Sequence, residues 1–115
     1  ASAVTAILSV AGLPTNNYLF LGFPPHKKGR QTFFKAVAAS EYPVVFFEST
    51  HRIMKALTEM AQVCPSKQLV VGRELTKQFE TIYRGFASEV IEQIKTSSSK
   101  GEFVVIVGGL SKSLE

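Results

Sequence analysis

A single cysteine, Cys64, leaves the chain without an internal disulfide, and two histidines with no short ligand spacing to it exclude a structural zinc site. No apolar run approaches the ~20 residues of a membrane span, and the apolar start at Ala1 lacks the basic flank of a signal peptide. A reducing, cytoplasmic setting is the expectation, with no membrane partner and with Cys64 as a small buried hydrophobe closing a helix. Glycines never fall in Gly-x-Gly-x-x-Gly order: Gly108-Gly109 and the isolated Gly22 and Gly72 give no support to dinucleotide or P-loop chemistry. Acid is in short supply, with 9 acidic against 13 basic residues, net charge +4 and pI near 9.4. That balance admits a polyanionic partner, although solubility alone accounts for so mild an excess.

What is present suffices for one domain with a real core: 115 residues, 45% hydrophobic, nine of them Phe. Ser2 to Ala11 reads as a helix with Ser2 as N-cap and Gly12 as its stop, so apolar that it calls for cover on several sides. Tyr18 to Phe23 reads as a buried strand ended by Pro24-Pro25, followed by the basic turn His26-Lys27-Lys28-Gly29-Arg30. Gln31 to Ser40 is a helix with Phe34, Val37 and Ala38 on its stripe, and Pro43 opens the strand Val44 to Phe47. Ile53, Met54, Leu57, Met60, Ala61 and Cys64 recur at helical spacing, with Arg52, Lys55, Glu59 and Gln62 on the wet side.

After Pro65, Leu69 to Val71 begins a third strand, which a short polar turn at Thr76-Lys77-Gln78 joins to a fourth, Phe79 to Gly85, in antiparallel sense. Ser88 is placed to cap a helix with Val90, Ile91 and Ile94 inward, and Glu89 and Glu92 suit its first turn. A Ser-rich loop leads to a last buried strand, Phe103 to Val107. Residues 110–115 are expected to be a disordered tail, its last residues a cloning remnant. The order gives an α/β domain: a mixed five-stranded sheet flanked by helices.

Two strand exits concentrate the chemistry: Phe46-Phe47-Glu48-Ser49-Thr50-His51-Arg52 and Val71-Gly72-Arg73-Glu74-Leu75-Thr76-Lys77. Open α/β folds build ligand crevices where strands end. Glu48 with His51 and Arg52 reads either as a polar cluster on a cleft floor or as a structural pair joining Glu48 to Arg52 or Arg73. His51 is a candidate general base, or a surface residue at a helix start. Arg73-Glu74 and Lys77-Glu80 read as a salt-bridge network, with Glu74 and Glu80 structural and Arg73 aimed at the cleft or a phosphate. Lys27, Lys28 and Arg30 are candidate phosphate contacts on their loop, the alternative being a solvated turn. Gly72 admits close backbone approach or relieves packing. Phe20, Phe23, Phe46 and Phe47 are assigned to the core ahead of base stacking.

Four stretches taken together resemble one family: Leu21-Gly22-Phe23-Pro24, Phe47-Glu48-Ser49-Thr50-His51-Arg52, Arg73-Glu74-Leu75-Thr76-Lys77 with Glu80 following, and Gly101-Glu102-Phe103-Val104. In this order they are similar to the carboxy-terminal half of the ribosomal RNA small subunit methyltransferase I family, within the tetrapyrrole-methylase superfamily. The resemblance runs from Ala1 to about Val107. Thr50 stands where many members have Pro, with little harm expected because Thr can cap a helix, and Gly108 where many have Glu.

The resemblance implies a two-domain α/β fold that binds S-adenosylmethionine between its domains, with residues 1–109 as the carboxy-terminal domain and the amino-terminal one absent. It implies methyl transfer to the 2′-hydroxyl of a cytidine in 16S ribosomal RNA, with the 30S subunit as partner, a homodimer as the assembly, and an inactive isolated domain. Ala1-Ser2-Ala3 matches the tail of the family's Pro-Gly-x-Ser-Ala segment, so Ser2 and Ala3, with Phe47, Gly72, Arg73 and Glu102, are the expected cofactor contacts. Lys27, Lys28, Arg30 and Arg52 are the expected RNA contacts, and Glu48, His51, Glu74 and Glu80 the cleft or structural polar set. Two other readings stay open: a tetrapyrrole methylase domain, which the basic loop and the Arg-Glu-Leu-Thr-Lys motif disfavour, and a non-catalytic binding or dimerisation module.

Overall fold

Helical and alternating apolar patterns resolve into α1 (Ala3–Val10), β1 (Leu19–Phe20), α2 (Arg30–Ala39), β2 (Val44–Glu48), α3 (Ile53–Val63), β3 (Gln68–Leu75), β4 (Gln78–Phe86), α4 (Ala87–Lys95) and β5 (Glu102–Val107). This computed structural model describes residues 3–12, 16–75, 78–97 and 100–109, with the side chains of residues 3, 75 and 78–80 excepted. The strands form one sheet in the order β1-β2-β5-β3-β4. β1 and β2 are parallel, and every other pairing is antiparallel, including the β3–β4 hairpin expected from its short polar connection. The mixed five-stranded architecture is the one read from the sequence.

The sheet is covered unequally. Residues at alternate positions point to opposite faces, and one face takes Val44, Phe46, Leu69, Val71, Tyr83, Phe103, Val105 and Val107 into the main core with α2, α3 and α4. α3 supplies Ile53, Leu57 and Met60 at the expected spacing, with Ala56 added, and Cys64 is buried just beyond it. Burial pushes the Cys64 thiol above its ordinary value against the opposing pull of Lys67. Lys67, itself lowered by burial, donates to the carbonyls of Val37 at 3.1 Å and Ser40 at 2.9 Å, satisfying groups that the end of α2 leaves open.

Among the described residues, the other face packs Val45, Val70, Val104 and Ile106 against α1 alone, through Ile7 and Ala11. Gly12, at φ 71°, stops α1 in the left-handed region where glycine is unstrained. Arg84 then reaches from β4 to donate to the carbonyls of Val10 and Ala11. A guanidinium suits that negative helix end.

Several expectations are corrected. α1 is covered on one side only by the described residues, with Thr5, Ala6 and Ser9 exposed and Val10 46% exposed, because no second described layer lies over it. Tyr18 to Phe23 is no buried strand. Its regular part is two residues long, continued by bonds from Leu21 N to Val45 O and from Phe47 N to Gly22 O, and its side chains are exposed because it is a sheet edge. Phe20 and Phe23 therefore lie outside the core, while Phe46 is fully buried and Phe47 half-buried.

Ser88 does not cap α4. The helix starts at Ala87 with Phe86 in the cap position, two residues earlier, and Glu89 reaches back to accept the Phe86 N–H at 2.8 Å. Gly85 makes room for that carboxylate, since a Cβ there would meet Glu89 Oε1 at 2.7 Å. Thr50 does not cap α3 either, and its hydroxyl donates to Gly101 O. The readings placed on Ser2, the turn at Thr76-Lys77 and residues 110–115 lie outside the described residues.

Candidate functional site

The carboxyl ends of the parallel strands β1 and β2 open onto the thinly covered face. Cross-strand register places Phe47, Val104 and Gly72 side by side there, because Phe47 pairs with Val104 and Val104 with Gly72. One step further along, Glu102 and Glu74 stand directly opposite each other. Phe23, Phe47, Val104, Phe103, Glu74 and Glu102 line a cleft of about 220 Å³. Like charges opposite one another across a strand pair are unfavourable on their own. Two carboxylates at the mouth of an aromatic-walled cleft suit a cationic ligand.

Phe47 is the pivot of this site. Phe20 packs edge-on against it with ring centroids 5.1 Å apart, and Phe23 at 5.4 Å, so both exposed rings are fixed in place. Such offset and edge contacts are the favoured aromatic geometries. Gly22, at φ 69°, turns the chain between the two rings, a conformation that costs glycine little.

The expected cofactor set divides. Phe47, Gly72 and Glu102 share this face, whereas Arg73 leaves the sheet on the opposite one, beside Phe103 and Thr81. Arg73 donates from Nη2 to Thr81 Oγ1 at 3.2 Å and from Nη1 to Lys100 O at 3.4 Å. Its reading as a cleft residue is corrected by strand parity: Arg73 lies between Gly72 and Glu74 along the strand, so its side chain points away from the face they share. The expected salt-bridge network across the hairpin involves Lys77 and the Glu80 side chain and so lies outside the described residues. Ala3 lies in α1 and its side chain is outside the described set, as are Ser2, Lys77 and the side chain of Glu80.

The expected loop cations divide as well. Lys27, Lys28 and His26 are exposed, but Arg30 is 3% exposed. Its Nε donates to Glu59 Oε1 at 2.8 Å, its Nη1 to Pro25 O at 2.9 Å, and its guanidinium carbon lies 5.1 Å from the centre of the Phe34 ring. Glu48, also buried, faces it at 3.6 Å, a charge contact too long for a hydrogen bond. Arg30 Nη2 and Glu48 Oε2 consequently have no hydrogen-bond partner among the described residues, while Glu48 Oε1 accepts the Ser49 N–H at 3.0 Å.

Arg30 is thus a buried clamp on its loop and not a solvated phosphate contact. Glu48 pairs with Arg30, where Arg52 or Arg73 was expected. The reason is that α2 begins directly above the end of β2 on the main-core face. Glu59, read as a wet-side residue of α3, was the missed partner; nothing local in the sequence links it to an arginine 29 residues earlier. Arg52 is half-buried at the start of α3, and His51 is exposed beside it. Among the described residues no group of His, Cys, Asp and Glu is arranged to hold a metal, and no helix is long and apolar enough to cross a membrane.

Residues 1–91 match the family model described as tetrapyrrole (corrin/porphyrin) methylases. The chain is 41% identical over 111 residues to a protein named ribosomal RNA small subunit methyltransferase I in Neisseria meningitidis serogroup B, covering 93% of this chain and 38% of that protein. The namesake in Escherichia coli O157:H7 is 41% identical over 94% of this chain and 39% of its own length. That of Thermotoga maritima is 31% identical over 94% of this chain and 49% of its own. The chain therefore spans between about two fifths and half of these relatives. Among solved structures, the cobalt precorrin-4 methyltransferase CbiF aligns with a TM-score of 0.67 at 15% identity, over 98% of this chain and 50% of that one. The methyltransferase CobJ aligns at 0.62 and 16% identity, over 95% and 48%.

Proposed function

The chain belongs to the tetrapyrrole (corrin/porphyrin) methylase family, and from that premise we propose that it is the carboxy-terminal domain, residues 1–109, of an S-adenosylmethionine-dependent methyltransferase acting on small-subunit ribosomal RNA. The observation that carries the RNA substrate is 41% identity, over 93% of the chain, to a protein named for that activity. The specific reaction proposed is transfer to the 2′-hydroxyl of a cytidine in 16S ribosomal RNA, in the cytoplasm. The exposed basic loop favours it over a tetrapyrrole substrate, because Lys27 and Lys28 suit phosphates.

The donor set of the cleft fits part of the proposed cofactor. Phe47 and Phe23 offer aromatic walls, Gly72 lies in register beside the lining Val104, and Glu102 with Glu74 supplies negative charge to complement a cationic donor. S-adenosylmethionine contributes an activated methyl group on a sulfonium when bound. The chain's own contribution is to orient: methyl transfer needs the attacking oxygen in line with the methyl carbon, so positioning supplies much of the rate. His51, the candidate base, is exposed just before the start of α3.

A homodimer is the proposed assembly, with the half-covered face around α1 and its exposed Val10 as apolar surface available for contact. Light scattering at high concentration should give a mass above that of the monomer; a strictly monomeric mass would count against it. The test of the activity is transfer of labelled methyl from S-adenosylmethionine to 30S subunits by the full-length protein that carries this domain, with the modified position mapped. Label appearing on a porphyrinoid and not on RNA would overturn the substrate assignment.

A further inference from the structure

The sheet edge at β1 carries large apolar side chains where edge strands normally carry charge. Tyr18, Leu19, Phe20, Leu21 and Phe23 are all exposed, Phe20 at 49% and Phe23 at 56%. These two rings differ from the rest of the edge in being braced against Phe47 at 5.1 and 5.4 Å. A braced ring loses little freedom when something stacks on it. Lys27 and Lys28, both exposed, follow Phe23 by four and five residues, within roughly 14 Å of extended chain for the nearer one. From Ala1 to Ser40 the sequence contains no Asp or Glu, so this whole segment offers cations and aromatic faces with no carboxylate of its own.

We propose that Phe20 and Phe23 are a stacking platform for unpaired bases of a single-stranded RNA segment whose phosphates are held by Lys27 and Lys28. The inference rests on the RNA-methyltransferase reading and deepens it, by naming the state of the RNA and the residues that select it. An unpaired nucleotide presents an aromatic face and an anion a short distance apart, which is the pairing of features this edge displays. Single strands are recognised through such stacking, whereas a duplex keeps its base faces covered. A strand added by a protein partner would use the free backbone of β1 but would leave the lysines without counter-charge. The platform also adjoins the cleft through Phe23 and Phe47, so RNA held there runs past the proposed cofactor surface.

Binding of a labelled single-stranded oligoribonucleotide, and of the same sequence as a duplex, to this chain tests the proposal. Phe20→Ala with Phe23→Ala is expected to weaken single-strand binding at least roughly tenfold while leaving its salt dependence unchanged. Lys27→Ala with Lys28→Ala should instead flatten the slope of log affinity against log salt by about 1.4, near 0.7 for each phosphate that is no longer neutralised. Phe20→Tyr with Phe23→Tyr should retain binding, and Phe20→Leu with Phe23→Leu, the Leu variant, which keeps apolar area without an aromatic face, should lose it as the alanine substitutions do. Wild-type affinity in the Leu variant overturns the platform. So does equal affinity for duplex and single strand, absence of RNA binding by the wild-type chain, or a Phe variant that changes only the oligomeric mass and so marks the edge as an interface between copies. Methyl transfer by the full-length protein judges the broader reading separately, so either can fail while the other stands.

Discussion

Replacing Arg30 by methionine is expected to destabilise the domain by about 3–5 kcal/mol, the cost of leaving a buried charge without its partner. The Arg30 and Glu48 side chains are 4% and 3% exposed, so solvent cannot take over the role of the missing cation. Glu59, at 26%, is better hydrated and adds less to the penalty. Against a total stability of roughly 5–15 kcal/mol for a domain of this kind, such a loss approaches unfolding. The contact between Arg30 Nη2 and Glu48 Oε2 is long and leaves both atoms without hydrogen bonds. The pair therefore offsets its own desolvation incompletely, and most of the penalty arises from orphaning one member.

Removing both charges together provides the second half of the test. Glu48→Gln keeps an oxygen for the Ser49 N–H while neutralising the side chain, so Arg30→Met with Glu48→Gln should recover a substantial part of the loss. Non-additivity of this sort is expected of residues in direct contact. Urea unfolding, with the midpoint shifted and the m-value unchanged, is the measurement. An Arg30→Met variant within about 1 kcal/mol of wild type, the range of an exposed ion pair, would mean that Arg30 is solvated after all.

No methyl transfer to 30S subunits is expected from the chain by itself, although it should fold. In the two-domain reading proposed above, the cleft lined by Phe23, Phe47, Glu74 and Glu102 would be one side of a site that a second domain completes. A cofactor held between two domains meets only one of its two walls here. Each ~1.4 kcal/mol of binding energy forgone is a factor of ten in affinity, so about 4 kcal/mol turns a micromolar ligand into a millimolar one. Poorer in-line positioning lowers the rate further. Labelled methyl accumulating on subunits with the purified chain, at a rate comparable to the full-length protein, would contradict the two-domain reading.

The sequence by itself determined the order of the elements and the sense of the β3–β4 hairpin. Pro24-Pro25, Pro43 and Pro65 interrupt helix and strand ladders wherever they fall, and Gly12 ends a helix because few other residues adopt φ 71° freely. The spacing of Ile53, Leu57 and Met60 is helical whatever it packs against. The short link between β3 and β4 permits only an antiparallel return. These are local constraints, carried by a few neighbouring residues each.

Only the tertiary structure decided which apolar residues are covered and which charges meet. Phe20, Phe23, Phe46 and Phe47 look alike in sequence. Three helices cover the face that holds Phe46, Phe47 is half-buried on the face that α1 alone occupies, and Phe20 and Phe23 are left at an edge with no strand beyond it among the described ones. Arg73 and Glu74 are adjacent in the chain and point to opposite faces, because alternation along a strand is invisible until its register is known. Arg30 finds Glu48 and Glu59, 18 and 29 residues away, because α2 and α3 land side by side on the same face. Side-chain burial and ion pairing depend on distances between elements, and a linear pattern holds no record of those distances until the sheet assembles them.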